Sequence, residues 1–124
     1  MAAASPEDLH RLFAQALNAG DLDALAALYE GGASLISKPD QLATGAEAVR
    51  QALSGLLAMN PTITVATHRA VRAADIALLY SSWRLRGTGV EGGAVEMEGR
   101  GTEIARRQAD GRWLFVIGDP FSGA

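Results

Sequence analysis

The sequence predicts one α+β domain, three N-terminal helices packed on a strongly bent, mainly antiparallel sheet, and three observations predict it. Its 124 residues suffice for one domain with its own core and are too few for two. Apolar residues recur at helical spacing up to Asn60, then give way to strand-type alternation punctuated by glycine. The later strand segments are joined by short connections, which pair them antiparallel and leave the helices to cover one face.

The elements follow in order. Ser5 is placed to cap a first helix, Pro6 suits its first position and Asp8 that of a capping-box acid. Leu9, Leu12, Phe13, Ala16 and Leu17 then share a face, which leaves His10 on the polar side, and Asn18-Ala19-Gly20 ends the helix. Asp21 caps a second helix that turns Leu22, Leu25, Leu28 and Tyr29 inward and stops at Gly31-Gly32. A short strand over 33–37 leads to a turn at Pro39-Asp40. Thr44 and Glu47 form a second capping-box pattern ahead of a helix carrying Val49, Leu53, Leu56 and Leu57, closed by Asn60-Pro61.

From Thr62 the pattern is strand. Ile63, Val65 and Val71 alternate with smaller or polar residues, and 76–85 form a mixed apolar run. A glycine-rich loop over 87–93 precedes strands over 95–107 and 113–118, joined by the hairpin signal Ala109-Asp110-Gly111. Gly99 and Gly101 interrupt the longest strand and predict a bulge or sharp bend, so that the sheet wraps the helices around a conical interior. Residues 1–5 read as a flexible start without the features of a signal peptide.

Composition excludes several functions. The net charge is −3 and no segment gathers arginines into a basic face, so nucleic acid is a poor partner. The absence of cysteine removes disulfides, thiolate nucleophiles and cysteine-ligated metals. No run of about 18 apolar residues spans a membrane, and a cytoplasmic protein is expected.

Three segments carry a resemblance. Leu17-Asn18-Ala19-Gly20-Asp21-Leu22-Asp23-Ala24-Leu25-Ala26-Ala27-Leu28-Tyr29 resembles the helix-turn-helix opening of the NTF2-like (cystatin-like) superfamily. Thr44-Gly45-Ala46-Glu47-Ala48-Val49 is similar to the start of that family's third helix, and Gly101-Thr102-Glu103-Ile104 through Asp110-Gly111-Arg112-Trp113 to its closing hairpin. Together, in this order, they point to its SnoaL-like and ketosteroid-isomerase-like branches. The resemblance implies a cone with an apolar pocket, a homodimer formed through the sheet, and no cofactor. It does not fix a function, because the fold serves isomerases, cyclases, dehydratases, hydrolases and binding modules alike.

Ketosteroid isomerase uses a carboxylate base with a tyrosine and a protonated acid that polarise a carbonyl. Aligned on Gly20-Asp21 this sequence has Phe13 at the tyrosine, the strand after Tyr29 puts Ser37 at the base, and the Asp110-Gly111 turn puts Glu103 at the acid. Phenylalanine donates no hydrogen bond and serine is no base near neutrality, so steroid isomerisation by that constellation is not expected.

The candidates for chemistry are few. Glu103 is the carboxylate to follow, a usable acid or base if it faces the interior. His68 on the first long strand is the histidine considered for acid–base work. Phe13, Tyr29, Met59, Trp83 and Met97 are candidates to line a pocket for an apolar or aromatic molecule, with Ser37 and Tyr80 as hydrogen-bond donors and Asp119 at its mouth or in a turn before Pro120. Gly87-Thr88-Gly89-Val90-Glu91-Gly92 spells a dinucleotide fingerprint but opens no helix, and two histidines 58 positions apart make no zinc site. The expected function is small-molecule binding, with a cofactor-free SnoaL-like enzyme using Glu103 as the alternative.

Overall fold

The structure, a computed structural model, describes residues 2–123. Its elements are α1 (Asp8–Asn18), α2 (Leu22–Ala26), β1 (Tyr29–Lys38), β2 (Gln41–Thr44), α3 (Ala46–Leu57), β3 (Thr62–Ala73), β4 (Ile76–Thr88), β5 (Ala94–Arg107) and β6 (Trp113–Gly123). The strands form one sheet in the order β2-β1-β6-β5-β4-β3. All neighbours are antiparallel except β1 and β6, which run parallel. The expected α+β arrangement is present, with three helices on a mixed, mainly antiparallel sheet. Helix α1 lies against β3 and β6, α3 against β1 and β2, and α2 packs between α1 and α3.

The alternation of β4 shows why one face is covered: Ala77, Leu79, Ser81 and Leu85 are buried, while Ile76, Tyr80, Arg84 and Arg86 are exposed. Leu9 and Leu17 of α1, Leu25 of α2, Leu53 of α3 and Leu79 are all fully buried beneath the helices. Each such leucine contributes roughly 1.5–3 kcal/mol through burial. Two core clusters result, and the half-buried Phe13 and Tyr29 touch both. No described helix is long and apolar enough to cross a membrane.

Several expectations are corrected. The start is held at Ala3, which is 1% exposed and whose carbonyl accepts the Trp113 N–H, tying the chain to β6. Ser5 is not the cap of α1; it belongs to a turn whose carbonyl accepts the Asp8 N–H, and Glu7 holds the cap position with no side-chain bond. Asp21 does cap α2, accepting the Ala24 N–H at 3.0 Å. That helix ends at Ala26, however, and Tyr29, Gly31 and Gly32 belong to β1. The Leu28 carbonyl accepts the Phe115 N–H, so pairing with β6 has already begun where helical propensity would continue the turn. The glycines fall where the β1–β6 register slips between Tyr29 and Ser34.

Strand β2 was not expected either. The Pro39-Asp40 turn folds it back on β1, and the Thr44 hydroxyl sits 3.0 Å from that of Ser34 across the pair, which removes Thr44 from capping α3. Gly45, at φ +93°, makes that cap without a side chain.

The bulge expected at Gly99 and Gly101 is not on their strand: β5 and β6 do slip between Arg100 and Thr102, but the extra residues, 120–122, lie on β6, while Gly99 and Gly101 keep an unbroken register with β4. Strand β6 continues past this slip to Gly123 instead of ending at Gly118. Pro120, which lacks a ladder N–H, falls within the slip. The Asp119 carboxylate accepts the Phe121 N–H at 3.1 Å, so its local bond forms within a strand and not in a terminal turn.

Candidate active site

Glu103 stands on the inner face of β5, 8% exposed, between Leu79 on β4 and Gly118 on β6. Its Oε1 contacts Nε2 of His10 on α1 and accepts a hydrogen bond from the Ser81 hydroxyl at 3.2 Å. The other ring nitrogen of His10, Nδ1, lies 2.6 Å from the Thr67 hydroxyl of β3. Four elements thus contribute one connected polar group inside an apolar core. The buried polar residues among those described are His10, Ser81 and Glu103, and all three belong to it.

Backbone geometry makes room for this group. A Cβ at Gly101 would lie 2.6 Å from Glu103 Oε2, 2.8 Å from the Ser81 hydroxyl and 3.2 Å from Pro120 Cα. This glycine therefore opens the space the carboxylate occupies. Gly101→Ala is expected to displace Glu103 and cost about 1–3 kcal/mol, as overpacking of a filled core does, measurable by urea denaturation. No hydrogen bond joins Oε2 to another described residue, nor does one engage the Tyr29 hydroxyl. Since no fully buried side-chain polar atom among the described residues lacks a partner, both atoms keep some accessible surface.

Tyr29 packs against Phe115 with ring centroids 5.1 Å apart and planes tilted by 40°, and its ring edge lies 4.0 Å from the Cβ position of Gly118, the cross-strand neighbour of Glu103. Desolvation, and secondarily the nearby Glu103 charge, push its phenol well above the usual tyrosine range. The hydroxyl therefore stays a proton donor far into alkaline solution. Phe13 packs beside it against both core clusters.

The remaining candidates divide. Trp83 and Met59 pack on the inner side, and the Trp83 indole donates to the Pro120 carbonyl at 2.8 Å. Met97 shares the inner register with Leu85 but is 39% exposed. Ser37 falls at the slip of β1 against β2 and makes no hydrogen bond to another described side chain. Tyr80 and Asp119 pair with Thr102 from either side, on the outer face, and so cannot line an interior pocket. His68 is also an outer-face group: it sits exposed at a β3 bulge and contacts the Ser82 hydroxyl at 2.7 Å. An open cleft of about 580 Å³ borders Ser82, Arg84, Glu98 and Arg100, on the face opposite Glu103.

His10 is the residue missed from sequence, where it was assigned to the polar side. It lies three residues before Phe13 and seven before Leu17, a spacing that puts all three on one face of α1. Among the described residues no three His, Cys, Asp or Glu side chains gather as metal ligands would.

Comparison with known proteins agrees with this architecture. An NTF2-like superfamily protein from Salmonella enterica superimposes with a TM-score of 0.82 at 13% identity, covering 94% of this chain and 87% of that one. A ketosteroid isomerase-like protein from Erwinia carotovora gives 0.80 at 18% identity, over 90% and 88% of the two chains. An NTF2-like protein with a cystatin-like fold from Novosphingobium aromaticivorans gives 0.74 at 16%, over 90% and 75%. At such identities the likeness shows the fold alone. No functionally curated protein matches the sequence. A family match does extend over residues 9–116, from α1 into β6 and across every residue of the polar group, and by it the chain belongs to the SnoaL-like domain family.

Proposed function

We propose that this chain is a cofactor-free proton-transfer enzyme acting on a small, largely apolar carbonyl compound, with Glu103 as the acid–base group. The observation that carries the reading is the Glu103 carboxylate, buried against His10 through one oxygen while the other has no hydrogen-bond partner among the described residues. A purely structural ion pair has no need of a free oxygen, whereas a base does. Glu103 Oε2 takes a proton from the carbon next to the carbonyl. The C–H electrons form a carbon–carbon double bond and the carbonyl pair moves onto oxygen. Tyr29, the nearby hydroxyl that stays protonated, donates to that oxygen, and Glu103 returns the proton to the same or a conjugated carbon.

The test uses cyclohexanone, 1-tetralone and 4-chromanone in D₂O, with loss of the α-proton signals followed by NMR. Exchange well above the buffer rate for at least one ketone is expected. Ketones that bind and are recovered with their protons intact would instead mark the domain as a binding module.

A homodimer through the outer face belongs to the same reading. Val71, Leu78, Ile104 and Ile117 form one apolar row across β3, β4, β5 and β6, and Val71 and Ile117 are each 41% exposed. Such a row marks an interaction surface. Sedimentation should give a dimer at micromolar concentration that Ile117→Glu dissociates; a wild-type monomer would refute the dimer.

A further inference from the structure

The His10–Thr67 contact carries an inference beyond the acid–base role of Glu103, although it rests on that reading for its catalytic meaning. We propose that Thr67 is a positioning residue: its hydroxyl oxygen accepts a hydrogen bond from His10 Nδ1–H, which leaves Nε2 facing Glu103 Oε1 as the one place where the proton of the site is held.

The argument is one of charge inside a core. His10 and Glu103 are both almost fully buried, with Ser81 donating to the same Oε1. Two arrangements keep the pair electrically neutral. In one, a carboxylate faces an imidazolium; in the other, a carboxylic acid donates to a neutral imidazole through Nε2. Both carry a proton on Nδ1. The arrangement in which Nδ1 is bare and accepts from Thr67 pairs a neutral imidazole with a carboxylate, leaving a net negative charge away from water, which burial disfavours strongly. Of the described residues, Thr67 is the one within hydrogen-bonding distance of Nδ1, at 2.6 Å. Its hydroxyl can accept as well as donate.

The consequence for chemistry is specific. With Nδ1–H fixed, the proton between Nε2 and Oε1 moves along a single line without a tautomer change. When Glu103 Oε2 carries a substrate proton, the imidazolium remains beside it and offsets the charge developing on the substrate oxygen. The tautomer of a histidine set by the partner of its far nitrogen is a general device.

Long-range ¹H–¹⁵N NMR of the histidine rings tests this without a substrate. In the wild-type protein His10 Nδ1 should resonate as a protonated nitrogen near neutral pH. In Thr67→Val, where the near-isosteric side chain offers no acceptor, Nδ1 keeps its proton, as neutrality of the buried pair requires, but the N–H loses its partner: the Nδ1–H proton should move upfield and exchange with water faster, and Thr67→Ser should restore both. Ketone exchange should fall about tenfold or more in the valine variant and recover in the serine one. A wild-type Nδ1 that is already unprotonated overturns the proposal, as does a valine variant with unchanged ring shifts. Should the valine variant not fold, the wild-type spectrum still decides. Absence of ketone exchange in a protein with the expected ring shifts would count against the enzyme reading and leave the Thr67 assignment standing.

Discussion

In Glu103→Gln, α-proton exchange should fall at least about 100-fold, the scale on which a positioned acid–base group contributes. The amide keeps the shape of the carboxyl and can still meet His10 and Ser81, but it cannot take up a proton at neutral pH. Some stability will go with it. A hydrogen bond to a charged group contributes about 1.5–3 kcal/mol, so a lower urea midpoint is expected beside the lost rate. That cost is small enough to leave a folded protein within the ordinary stability of about 5–15 kcal/mol, so exchange per folded molecule can be compared directly. His68→Ala is the companion measurement, because His68 lies exposed at a bulge of β3. It should change neither rate nor midpoint by more than experimental scatter. Full activity in Glu103→Gln would exclude this carboxylate from the chemistry, whatever its burial.

The fold was legible because its signals are local. Asp21, whose carboxylate caps the first turn of α2, and Gly111, whose positive φ turns the last hairpin, each act within a few residues of themselves, and each is where the sequence suggested. The departures arise where a distant strand competes. Tyr29, Gly31 and Gly32 extend β1 because β6 is there to pair with, and Thr44 turns from α3 to Ser34 for the same reason. Neither partner can be seen in a window of a few neighbouring residues.

The site was half legible. Glu103 stood out because it is a carboxylate in a segment similar to a known hairpin, and the alternation of β5 was uncertain only because glycines interrupt it. Its partner was the difficulty. Histidine counts as polar in any binary pattern, so His10 was sorted away from Leu9 although it shares a face with Phe13 and Leu17. Ser81 and Thr67 gave no signal alone, since small hydroxyl residues populate both faces of strands. Only the cross-strand register, which sets Thr67 opposite Ser81 and Ser81 opposite Gly101, brings them to the carboxylate.

That register also predicts the second large effect, on stability. Replacing His10 by leucine removes the charged partner of a buried carboxylate and leaves Ser81 as its sole donor among the described residues. Breaking a buried pair from one side typically costs about 3–5 kcal/mol, because the orphaned group keeps its desolvation penalty and loses its compensation. Glu103→Leu should be costly for the same reason, through the histidine left behind. The double variant, His10→Leu with Glu103→Leu, then decides what the pair is for. Two apolar side chains of similar bulk need no partners, and such replacements are often neutral or stabilising by about 1–4 kcal/mol. The double variant should therefore be more stable than either single one, with a coupling of about 2 kcal/mol or more in a urea double-mutant cycle. If it matches the wild-type midpoint while ketone exchange is gone, the polar group is retained for its chemistry at no benefit to the fold. If instead the two losses simply add, His10 and Glu103 are not coupled, and a proton shared between them has no support.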